Sequence, residues 1–401
     1  MKPNYCELGA ERYVCGEVKR FDERYMMFRR VMWEMPELAG KLYFTPKQPR
    51  PGKAGYELRD VALRNAAWDL ERDFAMGNRG GRQMLYDWER PPKGEFPPPP
   101  GLKENADDPA ALTRAVKKAA AFLGASLTGI CRLDQRWVYS HAYYPSIRNP
   151  FVGGQLNLDE LTQGESVPIE IPDGVDYAIV LAFEMDYELS RYSPSMTASA
   201  GAGLCYSKMP FVAAMVAQFI RGLGYRAIPN GNDTALSIPL AIDAGLGELG
   251  RNGLLITPRY GPRVRLAKVF TDLPLVPDRP IEFGVWRFCQ TCQKCAEHCP
   301  SQSINFGQAT TEVHSVSNNQ GMRRWPVRGE SCLAFWERNQ SCSCLNCIRV
   351  CPFNKPRGWL HEAVRTGIKS APFLNRLFLW GDEWFGYNRR KSPRRFWDGR
   401  E

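Results

Sequence analysis

No apolar run in the sequence reaches the roughly 20 residues that a helical membrane span needs. A secretory leader is also missing. Arg29-Arg30 is a twin arginine, but Val31-Met32-Trp33-Glu34-Met35-Pro36 follows where a long apolar region should stand. These absences point to a cytoplasmic chain or to one already processed. No basic segment carries a nucleic-acid-binding motif, so nucleic acid is not expected as a partner, although the net charge is +10. That surplus has a local source in Arg389, Arg390, Lys391, Arg394 and Arg395, a tail suited to an anionic surface or an acidic partner and equally to plain solvation. Cysteine is scarce outside one stretch: of 13, nine lie between Cys289 and Cys351. Such clustering reads as metal ligation, not a disulfide framework, and leaves Cys6, Cys15, Cys131 and Cys205 as isolated thiols.

The cysteine-rich stretch opens as Cys289-x2-Cys292-x2-Cys295-x3-Cys299-Pro300 and closes as Cys344-x2-Cys347-x3-Cys351-Pro352. Two-residue gaps let consecutive cysteines reach three corners of one cubane, and the cysteine before proline serves the other cube. Two [4Fe–4S] clusters follow. One takes Cys289, Cys292, Cys295 and Cys351. The other takes Cys299, Cys344, Cys347 and a fourth ligand that is either Cys332 or Cys342. Disulfides do not explain two Cys-Pro endings, and zinc sites use paired cysteines instead of this rhythm. Electron transfer is therefore expected.

Residues 1–98 are rich in aromatics and loop formers without a sustained period, and end at the stiff run Pro97-Pro98-Pro99-Pro100-Gly101. Asp108-Pro109 starts a helix that carries Leu112, Val116, Ala119 and Leu123 at helical spacing and ends at Gly124. Leu127 to Cys131 reads as a strand within residues 124–175, otherwise a loop-rich insertion. Val175 to Met185 reads as a strand covered on both faces. A helix is predicted from Pro210 to Gly222, with Phe211, Met215 and Phe219 on one stripe and Val212, Val216 and Ile220 beside it. Val264 to Leu273 is a further strand. Strand, helix, strand argues for an α+β or α/β core over 99–123 and 176–283, followed by the cluster segment 284–353 and a closing helix and tail, 354–401.

Gly245-Leu246-Gly247-Glu248-Leu249-Gly250 matches GxGxxG, a dinucleotide signal only if it follows a first strand and opens a helix. What its glycines do allow is close backbone approach to something flat or bulky. With its surroundings, Ala244 to Gly253, then Gly261-Pro262-Arg263-Val264-Arg265, then Lys268 to Leu275, together with both cysteine runs, Cys332-Leu333-Ala334-Phe335-Trp336 and Phe385-Gly386-Tyr387, the chain resembles the corrinoid and iron–sulfur reductive dehalogenases over about residues 105–390.

The resemblance implies a nitroreductase-like core that holds cobalamin base-off under the N-terminal unit, and a bacterial ferredoxin-like domain that feeds it electrons. The corrin would lie against Gly245, Leu246, Gly247, Gly250, Asn252 and Gly253. It implies Tyr206 as proton donor, Arg265 as the cation that stabilises its phenolate, and Asn232 as a donor to halide or phenolate, all in a buried pocket. Without the resemblance these three would pass as a core tyrosine, a turn residue and a surface ion-pair member. Trp336 and Cys342 match positions that line the halocarbon pocket. The family often has an aromatic residue where this chain has Cys342, which favours Cys332 as the last cluster ligand and leaves Cys342 a thiol facing the pocket. Tyr56, Trp33 and Trp137 could add to the walls. A small organohalide substrate such as a chlorinated ethene, organohalide respiration, a small membrane-anchor protein, a quinol-linked donor, room for a homodimer, and the outer face of the cytoplasmic membrane are all implied in the same way. The rival is an epoxyqueuosine reductase, which shares the cofactors and acts on tRNA.

Overall fold

The computed structural model describes residues 4–5, 9–45, 48–71, 84–92, 99, 101–145, 151–152 and 155–399. Cys6 and the proline run at 97–100, Pro99 apart, lie outside the described residues. The N-terminal unit contributes α1 (Met27–Glu34) and α2 (Leu58–Glu71). The second was not predicted, because its apolar residues Val61, Leu63, Trp68 and Leu70 form no clean helical stripe. Next comes α3 (Pro109–Phe122), where the Asp108 carboxylate accepts from Ala111 N at 2.9 Å, the N-cap read from the sequence.

The core continues with β1 (Leu127–Arg132), a hairpin of β2 (His141–Pro145) and β3 (Gly164–Pro168), then β4 (Tyr177–Glu184), α4 (Met196–Gly222), β5 (Ala227–Asn230), α5 (Ser237–Asp243), a second small hairpin of β6 (Glu248–Leu249) and β7 (Leu255–Ile256), and β8 (Val264–Thr271). The main sheet runs β1-β4-β8-β5 and is antiparallel at every step. The α+β reading therefore describes it, and the parallel α/β reading does not. Since β1 is an edge of this sheet, the inserted part starts after Arg132, not at residue 124.

Both faces of the sheet are covered, so β4 is apolar throughout. Ile179, Leu181, Phe183, Ala267 and Val269 face α4, while Ala178, Val180, Ala182, Leu266 and Phe270 face α5 and the residues around Trp137. Strand alternation then puts Arg265 on the α4 side and Lys268 on the other.

Helix α4 corrects two expectations. It begins at Met196, capped by Ser195 Oγ accepting from Ala198 N, and runs through Pro210 without stopping there. Its Val212, Val216 and Ile220 are buried, whereas Phe211 and Met215 are exposed, so the proposed stripe faces outward. At 27 residues it is also long and apolar enough to cross a membrane, contrary to the sequence reading, yet most of its apolar window is buried as a core helix.

The cysteine-bearing segment has α6 (Val285–Thr291), α7 (Lys294–Glu297), α8 (Gly329–Arg338) and α9 (Asn346–Arg349), and the chain closes with α10 (Trp359–Ser370) and α11 (Asn375–Trp384). Part of the basic tail is spent internally. Lys391 Nζ meets Glu188 at 2.6 Å, Arg390 Nη2 donates to Pro194 O at 3.1 Å, and Trp397 Nε1 donates to Asp60 at 2.8 Å.

Candidate active site

Tyr206, on α4, and Arg265, on β8, are half-buried and share one face of the sheet. The Arg265 guanidinium carbon lies 5.4 Å from the Tyr206 ring centroid. Asn232, in the turn after β5, donates from Nδ2 to the Tyr206 hydroxyl at 3.4 Å. Three elements distant in sequence thus deliver a phenol, a cation and an amide to one place. The expected burial differs in degree: Asn232 is exposed, so the group forms the floor of an opening.

Trp68 of α2 completes that floor. Its ring stacks on Tyr206 at 5.1 Å and 22°, and its Nε1 donates to Ser199 O at 3.0 Å. A Cβ on Gly203 would sit 2.4 Å from Trp68 Cδ1, so only glycine there lets the indole lie against α4. Ser207, next to Tyr206, accepts from Glu71 N at 3.2 Å and donates to Ala67 O at 2.7 Å, locking the two helices together. Glu71 is buried nearby, and burial first, then the charge of Asp233, pushes its carboxyl up to about 8.

The opening is bordered by the N-terminal unit. Tyr43 is 43% accessible, and burial of its hydroxyl end raises its phenol pKa. Arg29 lies within electrostatic reach of both Tyr43 and Asp233, and it pairs with Glu23 at 3.1 Å. Trp336 packs on Phe28 with centroids 5.7 Å apart. Arg265 Nε is buried and has no partner within the protein, whereas the Trp336 indole N–H points at the Cys332 sulfur.

The cysteines fall into two groups. Cys295 feels Cys289, Cys292 and Cys351 first and Cys347 last, whereas Cys347 feels Cys344, Cys332 and Cys299. Burial is the main cause that lifts Cys289 to about 11 and both Cys292 and Cys332 to about 12. Backbone N–H groups nevertheless point at several sulfurs, as Ser303 N does at Cys299 Sγ (3.3 Å), which suits thiolates bound to metal. Among the described residues no three His, Cys, Asp or Glu side chains converge as a single ion would require, whereas a cluster spreads its ligands over several atoms. Arg265 is also close enough to Cys347 to lower its pKa, which links the second cysteine group to the phenol.

Cys342 stands apart. It is fully buried against Tyr56 and Met196, away from Cys299 and Cys347, so it lies behind the wall instead of facing the opening. Tyr56 is equally buried, its hydroxyl on Asn339 Oδ1 (2.6 Å), and Trp137 is a core residue, so neither adds to the walls.

The glycine loop also departs from expectation. It follows α5 and enters the β6–β7 hairpin, so it opens no helix and the dinucleotide context is absent. A Cβ on Gly245 would meet Arg279 O at 2.5 Å, and one on Gly247 would meet Ile256 O at 2.1 Å. The close approach is to the protein's own backbone, and Leu246 is buried in the layer opposite α4. Only the later part turns toward the cysteines: Asn252 Nδ2 donates to Cys347 O at 3.4 Å, Gly253 abuts Val327, and Gly250 abuts Ile256.

Two residues of this loop were assigned no role from sequence. Arg251, 1% exposed, donates to the carbonyls of Cys289, Cys292, Asn305, Phe306 and Gly307. Glu248 accepts from Phe283 N (2.6 Å) and Val285 N (3.2 Å) at the start of α6. Charged residues inside an apolar-rich loop were the available signal, since buried charges must be fully paired.

A family model described as "Reductive dehalogenase subunit" matches residues 152–275. A tetrachloroethene reductive dehalogenase of Sulfurospirillum multivorans is 37% identical over 354 residues, 84% of this chain and 70% of the relative. A solved reductive dehalogenase structure, described as suggesting a mechanism for B12-dependent dehalogenation, superposes with a TM-score of 0.71 at 22% identity, a likeness of fold. It covers 97% of this chain, which in turn spans about half (49%) of that one. An epoxyqueuosine reductase of Lactococcus garvieae is 29% identical over only 30% of the chain.

Proposed function

Because the chain belongs to the reductive dehalogenase family, we propose that it removes halide reductively from a small organohalide, R–X + 2e⁻ + H⁺ → R–H + X⁻. The observation that carries this reading is the meeting of Tyr206, Asn232 and Arg265 at one place on the α4 side of the sheet, with Arg265 also beside Cys347. Chlorinated ethenes are the substrate class that the relative's name suggests. Similarity to epoxyqueuosine reductase over so small a share of the chain gives that rival little support.

We read the antiparallel core as a nitroreductase-like unit and residues 284–353 as a ferredoxin-like domain with two [4Fe–4S] clusters, ligated by Cys289, Cys292, Cys295 and Cys351 and by Cys299, Cys332, Cys344 and Cys347. The buried, mutually adjacent thiols support the two sets. A corrinoid beside this group is supported by the exposed Asn232 amide, the buried Arg265 Nε that has no partner within the protein, and the cysteine group on one side. Gly250, Asn252 and Gly253 remain candidates to hold it, Gly245, Leu246 and Gly247 being spent on the chain itself. When bound, the corrinoid supplies the low-valent cobalt that reduces the carbon–halogen bond. Family membership also supports the expected membrane anchor, quinol-linked donor and outer-face location.

The protein's own part is proton delivery. Tyr206 O–H gives its proton to the carbon that loses halide, because a phenol is protonated at neutral pH yet is a competent acid. Arg265 stays charged and stabilises the phenolate left behind. The Asn232 amide holds the phenolic oxygen in place and can donate to the departing halide. Trp68 fixes the ring plane.

Anaerobic reconstitution with iron, sulfide and hydroxocobalamin, followed by chloride release from tetrachloroethene, tests the reading. Turnover lowered roughly 10²–10⁴-fold in Tyr206→Phe, with iron and cobalt contents unchanged, is the expected result. Protein that fills with iron but binds no corrinoid would overturn it.

A further inference from the structure

Lys268 is fully buried in the central strand β8, on the face away from Tyr206. An ammonium carries three donors, and here each has an acceptor: Gly231 O, Ala235 O at 3.1 Å and Ser237 Oγ at 2.9 Å. All three acceptors belong to the segment that leaves β5 and enters α5, and this segment presents Asn232. Its other ties are local turns and a backbone bridge to residues 137–139, where Leu236 N donates to Trp137 O at 2.8 Å. Asp233 Oδ1 accepts from Gly231 N at 2.7 Å, Asp233 Oδ2 accepts from Thr234 Oγ1 at 2.9 Å, and Tyr139 N donates to Thr234 O at 2.8 Å. Asn232 itself is exposed and is touched from the N-terminal side by the Tyr139 hydroxyl, which donates to Asn232 O at 3.3 Å.

We infer that Lys268 is the positioning residue of the site: its ammonium clamps the 231–237 segment from beneath and so sets the Asn232 amide at the Tyr206 hydroxyl. The inference rests on the functional reading above for its catalytic consequence, but not for its structural one. A buried ammonium is costly unless every donor is used, so the clamp tolerates little slack in the segment. The charged groups that face it are Asp233, from the segment, and Glu23, from the N-terminal unit, the latter already paired with Arg29. Burial pulls the Lys268 pKa down to about 8, and these two carboxylates oppose the shift, so the ammonium form prevails at neutral pH. Sequence alone shows a lysine in an apolar strand, which points to a buried, fully paired cation without naming its partners.

Lys268→Met keeps the length of the side chain and removes the donors. Amide hydrogen exchange of the 231–237 segment in this variant should rise about tenfold or more, while β4 keeps its protection. This readout needs neither cofactor nor turnover. Chloride release should fall by about 10-fold, and a double-mutant cycle with Asn232→Ala should show strong coupling, so that the second substitution adds little to the first. Ser237→Ala, which removes one acceptor and leaves the strand intact, should show the same coupling at smaller size if Lys268→Met does not fold. Unchanged exchange in the segment, or losses from Lys268 and Asn232 that simply multiply, would overturn the inference. Absence of dehalogenation in the wild-type chain would instead count against the functional reading and leave the exchange result to judge the clamp.

Discussion

Arg265 and lysine are not interchangeable at this site. The guanidinium is delocalised, and its carbon lies 5.4 Å from the Tyr206 ring centroid and close enough to Cys347 to lower its pKa. A lysine would keep the charge but concentrate it at one strongly hydrated nitrogen. Arg265→Lys should therefore retain cofactor content and lose on the order of tenfold in turnover, less than the loss from Tyr206→Phe, since charge stabilisation is weakened and not removed. The cysteines make a sharper contrast. Cys332→Ser should cut bound iron from about eight per chain to about four, whereas Cys342→Ser should leave it near eight. Iron and sulfide analysis of the two purified variants separates the cases, and equal iron loss in both would contradict the grouping. Sequence spacing left Cys332 and Cys342 open because each stands the right distance upstream. The family resemblance favoured Cys332, and the fold, which packs Cys342 against Tyr56 and Met196, agrees.

Among the elements, the pair α2 and α4 shows best why part of the site was hidden in the sequence. Tyr206, Asn232 and Arg265 were named through the family resemblance. Trp68 was not, because α2 has no clean periodicity and its partner, Gly203, looks like one of several small residues in α4. The message is in the pairing and not in either helix. Gly203→Ala puts a Cβ 2.4 Å from Trp68 Cδ1, a clash that forces the indole or the helix to move. Overpacking of this kind costs about 1–3 kcal/mol, and here it should also displace the ring stacked on Tyr206. A lowered thermal midpoint with changed tryptophan fluorescence is the expected signature. At the other side of the sheet, Asp243 at the end of α5 accepts from Ala10 N at 2.7 Å and so ties in the N-terminal unit. Burial first, with this hydrogen bond opposing it, raises the Asp243 carboxyl to about 6. A raised carboxyl stabilises the fold fully only below its unfolded value, and loses that contribution as pH rises through about 6. Asp243→Asn keeps an acceptor for Ala10 and never ionises. It should be more stable than wild type at pH 8 by about 1–2 kcal/mol, after allowance for the partial exposure of the group, with the gap closing toward pH 4. Urea midpoints across that range would check the sign.

For the whole molecule, the question is how two unlike parts hold together. The sheet core has two extensive apolar layers, in which Cys131 and Cys205 are buried and against which Cys347 packs. The cysteine-bearing segment has smaller clusters, in which the sulfurs are themselves packing groups, and it is joined to the core by Leu345 and Ile348 in the α4-side layer and by buried charge, Arg251 on the carbonyls near Cys289 and Glu248 at the start of α6, while Lys294 on Asp382 at 2.6 Å ties it to α11. A boundary near residue 284 was suggested by cysteine spacing. These ties were not, because a buried ion pair between distant residues leaves no local pattern. They also set a limit on what cofactor loss can do. Each proposed cluster joins residues 289–299 to residues 332–351, and without those bonds the intervening loop regains its chain entropy. Arg251 and Glu248, by contrast, need no metal. Removal of iron by a chelator should therefore raise amide exchange across 289–299 and 344–351 by orders of magnitude, leave β4 and β8 protected, and raise exchange in the 248–256 hairpin only modestly. Cooperative loss of protection in β4 along with the cysteine segment would mean that the molecule folds as one unit around its metal, and that the buried charge is too weak to let the core stand alone.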